Sequence, residues 1–176
     1  MHVAVTCVAA TLAFASSQSR SVRSVPVVVA ELMPPKDEVL LLRAFAEGVQ
    51  IYECVRGEAA LQWKFVAPEA ELTDDLGHVI GTHYAGPTWE STDGSKVAGK
   101  VVSSVDAADP GAIPHLLIRA SGHEGSGVFT KVRSIQRLQT NGGRAPAQAC
   151  RETDVGQKTR VRYHATYYFY GDAGAY

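Results

Sequence analysis

The chain has 176 residues, of which 45% are hydrophobic and 20% charged, and its formal net charge is −1. This composition excludes an intrinsically disordered chain, and the length favours one domain with a real core. The near-neutral balance also lacks the cationic footprint that nucleic acid requires. Lys158, Arg160 and Arg162 form the densest basic group; on a strand they share one face and read as a small solvated stripe.

Val3 to Ala15 is apolar apart from Thr6 and Thr11, and no Lys or Arg precedes Arg20. Ala13-Phe14-Ala15 fits a small-x-small cleavage site, so residues 1–15 are expected to be a secretory signal peptide. The run is too short for a stable membrane span. Residues 16–34 are expected to be mobile, with an edge strand possible at Val25–Ala30 before Pro34-Pro35. Export removes Cys7 and leaves Cys54 and Cys150, which an oxidising compartment would join in a disulfide.

From Val39 the β signal dominates. Val39–Ala46 is an apolar run compatible with a strand or a short helix. Gly48 follows, then Val49–Cys54 alternates as a strand does. Leu61, Trp63, Phe65 and Ala67 alternate likewise. Asp74–Gly77 reads as a turn, and Asp93-Gly94 as the hairpin turn between a strand near Trp89 and one at Lys96–Val105. Asp106–Pro114 reads as a loop, Leu116–Ala120 and Val128–Leu138 as strands, and Asn141-Gly142-Gly143 as a turn. The clearest alternation is the last: Val161, Tyr163, Ala165, Tyr167 and Phe169. Roughly ten short antiparallel strands predict an all-β sandwich or barrel with few short helices. The β-rich domain is placed at residues 35–171, with a tail at 172–176.

The stretch Gly81-Thr-His-Tyr-Ala-Gly-Pro-Thr-Trp-Glu-Ser-Thr-Asp-Gly-Ser-Lys-Val-Ala-Gly-Lys100 is the most distinctive. With Gly48–Cys54, Ala112-Ile113-Pro114, Ile135-Gln136-Arg137 and Gly142-Gly143, it resembles domain-of-unknown-function family 3455. The resemblance implies an exported, single β-rich domain and agrees with pairing Cys54 to Cys150. It implies no activity. His115 stands where the family pattern leads one to expect Trp, which argues against a shared ligand role for this histidine.

Three functional readings follow. Tyr84, Trp89 and Glu90, with His83 and His123, are candidates for binding a small molecule, a glycan or a protein partner, because aromatic faces with polar tips suit such ligands. Alternatively, His83, Glu90 and His123 are candidate ligands for zinc or copper, in a metal-binding protein or metal-dependent enzyme. No His-x-His or His-Glu-x-x-His spacing supports that set. The third reading is a structural surface protein. Gly94–Lys100 mimics a phosphate loop, but Val101-Val102 continues it as a strand where a helix is needed. No Gly-x-Ser-x-Gly elbow occurs, and whether the chain is an enzyme stays open.

Overall fold

Alternate residues of the C-terminal segment face the interior of a closed barrel. The computed structural model describes residues 26–174. Its strands are β1 (Glu38–Arg56), β2 (Leu61–Thr73), β3 (Val79–Tyr84), β4 (Thr88–Ser91), β5 (Lys96–Val105), β6 (His115–Glu124), β7 (Ser134–Gly142) and β8 (Lys158–Asp172). Each is antiparallel to the next, and β8 closes on β1. Of the sandwich and the barrel, the barrel is the one formed. Closure leaves no sheet edge unpaired.

The β1–β8 seam shows how the interior is filled. Ala44, Ala46 and Gly48 of β1 face Tyr167, Ala165 and Tyr163 of β8. Small residues on one strand thus make room for large rings on the other. Gly48 also pairs with Ala70 of β2, and a Cβ at Gly48 would lie 2.6 Å from the Ala70 methyl. The core continues through Leu72, Trp89, Val97, Ile118 and Ile135.

The strands are fewer and longer than expected. β1 runs straight through Gly48, so Val39–Ala46 is strand and not helix. The expected strand at Val128–Leu138 begins instead with a 3-10 turn, Val128–Lys131, and β7 starts at Ser134. Gly127, at φ 149°, starts that turn, and Phe129 enters the barrel end and packs against Phe169 at 4.8 Å between centroids. Asp93 fastens this end. Its Oδ1 accepts from Ser95 N and Oγ, and its Oδ2 accepts from Val128 N at 2.9 Å. These bonds hold the Asp93 carboxyl at about 2 despite the opposing cost of desolvation.

The expected signal peptide, residues 1–15, lies outside the described residues, as do residues 16–25 and the last two of the tail. From Pro26 to Pro34 the chain forms a strap without strand pairing, so the described part of the expected edge strand is not one. Its 3-10 turn, Ala30–Leu32, seats Leu32 on the outer face of the barrel among Leu117, Leu138, Tyr168 and Tyr170. Gln136 Nε2 donates to Leu32 O, and Tyr170 Oη donates to Gln136 Oε1. The apolar face explains the strap: Leu32 buries surface there that a free segment would leave in water. At the other terminus Asp172 is the last residue of β8 and pairs with Arg133.

The end opposite Phe129 carries the β1–β2, β3–β4, β5–β6 and β7–β8 connections. Cys54 and Cys150 are bonded there, with Cα atoms 5.9 Å apart, tying the end of β1 to the β7–β8 connection.

Candidate functional site: the open end of the barrel

At this second end the interior is not filled. A cavity of about 410 Å³ opens between the connections, walled by Phe65, Pro87, Val101 and Leu116. Gln50, His83 and Arg137 supply its polar groups. Its size falls in the usual range for small-molecule sites, about 300–1,000 Å³.

His83 is placed by the β3–β4 hairpin, in which it pairs directly with Trp89. The two rings stack at 4.4 Å and 10°, and Tyr167 meets His83 edge-on at 5.2 Å. His83 Nδ1 lies 2.9 Å from Thr88 O. A carbonyl only accepts, so Nδ1 carries the proton and Nε2 keeps a lone pair. Burial lowers the His83 pKa to about 3; the Thr88 hydrogen bond opposes this and the Arg137 charge adds to it. His83 is therefore a neutral imidazole at any ordinary pH.

Arg137 lies on the inward side of β7, two residues after buried Ile135 and opposite Tyr167. Its Nε and Nη2 donate to Pro114 O at 3.1 and 2.9 Å. Among the described residues no carboxylate lies within ion-pair distance of it. Gly143, at φ 85°, lets three neighbours close in: a Cβ there would sit 2.7 Å from Tyr163 Cβ, 3.0 Å from Ile113 Cγ2 and 3.2 Å from Gln50 Cγ. Tyr52 Oη donates to Gly143 O. Gln50 Nε2 and the hydroxyls of Tyr163 and Tyr167 are buried without close hydrogen bonds, and they stand near one another and near Arg137. Burial raises both tyrosine pKa values, while Arg137 works against the rise in each.

The expected site residues separate by strand parity. His83 and Trp89 point inward. Tyr84 and Glu90, their strand neighbours, lie on the outer face, where Tyr84 Oη donates to Glu90 Oε2 at 2.8 Å and Lys96 Nζ stands 3.4 Å from the same oxygen. The Tyr84 hydrogen bond, aided by Lys96, lowers the Glu90 pKa. His123 is on the exposed end of β6, with Nε2 2.7 Å from Val132 O. His83, Glu90 and His123 therefore do not converge, and no three His, Cys, Asp or Glu side chains group for a metal among the described residues.

A family model matches residues 34–171. The chain belongs to the DUF3455 family, described as proteins of unknown function. No curated protein and no solved structure matches it. The matched span contains the whole cavity of this DUF3455 barrel, including Gln50 and Arg137, which sequence reasoning passed over. One signal was present. Arg137 interrupts the inward register Ile135-x-Arg137, and a charge on the buried side of a strand needs a reason.

Proposed function

We propose that this protein is an exported β-barrel that holds a small, largely apolar molecule in its open end. The observation that carries this reading is the cavity of about 410 Å³ at the open barrel end, walled mostly by apolar side chains. The binding residues are then the inner set, and of the earlier candidates His83 contributes directly while Trp89 supports its ring. The disulfide fits an oxidising compartment. No helix of the described residues is long and apolar enough to cross a membrane.

The test uses N-phenyl-1-naphthylamine, an uncharged fluorophore. Saturable binding at one site per chain is expected, and Leu116→Trp, which fills the mouth, should weaken it at least tenfold without lowering the melting temperature by more than a few degrees. Binding unaffected by Leu116→Trp, or absence of binding, would overturn the reading.

A further inference from the structure

The polar groups at the base of the cavity are nearly all donors. Arg137 has a guanidinium without a counter-ion, held by Pro114 O and standing against the Tyr167 hydroxyl. Gln50 lines the cavity 3% exposed, with its Nε2–H near the Tyr163 hydroxyl and without a close hydrogen bond. Behind them Tyr163 and Tyr167, 1% and 0% exposed, place their hydroxyls near Gln50, Arg137 and each other. Buried donors without acceptors weaken a fold, and a half-buried cation without an anion does so too. Of these groups Arg137 and Gln50 line the cavity, and Tyr167 and Tyr163 stand beside them in the core behind it, so one acceptor at Arg137 would complete the set.

We propose that the ligand enters with a carboxylate at its buried end, which Arg137 receives with Gln50 beside it. This rests on the cavity reading above and names the chemistry of its occupant. A planar guanidinium matches a carboxylate through paired N–H groups. The single positive charge suits a monoanion and leaves a phosphate monoester half-neutralised. The apolar wall above takes the hydrocarbon body. His83, neutral, adds no second positive charge, and its Nε2 lone pair repels the anion toward Arg137.

Isothermal titration with octanoate, 1-octanol and octyl phosphate tests this on the folded, disulfide-bonded protein. Octanoate should bind at least tenfold tighter than 1-octanol and tighter than octyl phosphate. Arg137→Met should bring octanoate down to the 1-octanol level while leaving 1-octanol unchanged. Arg137→Gln, which keeps a polar side chain without the charge, should likewise remove the preference for octanoate; it carries the test alone should Arg137→Met not fold. Equal affinity for octanoate and 1-octanol, a preference for octyl phosphate, or a preference for octanoate that survives Arg137→Met would overturn the carboxylate assignment and leave the cavity reading standing. No binding of any of the three would overturn both.

Discussion

His83 shows how much one buried imidazole can govern. Its pKa is lowered to about 3 in the fold, whereas in the unfolded chain it takes a proton near 6.5. Between those values the unfolded state binds the extra proton, so acidification favours unfolding. The stability is fully present above about pH 6.5 and is lost as the pH falls toward 3, at up to about 1.4 kcal/mol per unit. His83→Asn keeps an N–H near the Nδ1 position for Thr88 O but cannot titrate. Chemical denaturation from pH 6.5 to 4.5 should show a shallower slope for His83→Asn than for the wild type; parallel slopes would mean that the ring is protonated inside the barrel. The same residue marks what the sequence disclosed. His83 stood out because it sits in a distinctive motif among aromatics. Arg137 did not, because a lone arginine in a strand ordinarily faces water, and its inward position depends on pairing with Tyr167 thirty residues later. Chain order alone carries no such register.

Strands with strong alternation were legible as elements, and β5 and β8 lie close to where their patterns put them. The 3-10 turn at Val128–Lys131 was not legible, because Val-Phe-Thr-Lys has strand propensity and only the barrel end gives Phe129 a better place to bury. The cysteine pair was read correctly, and it acts on elements that otherwise meet through few bonds. Around it Cys54 N donates to Gln157 O and Gly156 N donates to Cys54 O. The bridge spans a sequence separation of 96. Closing a loop of that length restricts the unfolded chain by about 4–5 kcal/mol at most. Reduction should lower the melting temperature by roughly 10 °C. It should also detach the β7–β8 connection from the cavity mouth, seen as faster hydrogen exchange at residues 150–157 than in β8. An unchanged transition after verified reduction would show that the bridge constrains little.

At the scale of the molecule, alternation served equally for a sandwich and a barrel, since both bury every second side chain. The choice between them is made by β8. It brings Tyr163, Ala165, Tyr167 and Phe169 into the interior and pairs on both sides, with β7 and with β1. The first and last strands must therefore meet before the core exists, whatever local hairpins form earlier. A chain ending at Gln157 would keep seven strands, two open edges and a core stripped of Tyr163, Tyr167 and Phe169. Such a sheet cannot flatten to hide the loss, because Ala44, Ala46 and Gly48 are too small to cover the face that β8 vacates. The truncated protein should show no cooperative thermal transition and no near-ultraviolet aromatic signal, and it should associate through its exposed strands. Adding a peptide of residues 158–172 in trans should restore both signals, because the groove between β1 and β7 has one sequence-matched occupant. Cooperative unfolding of the truncated chain alone would mean that the first seven strands possess a core of their own.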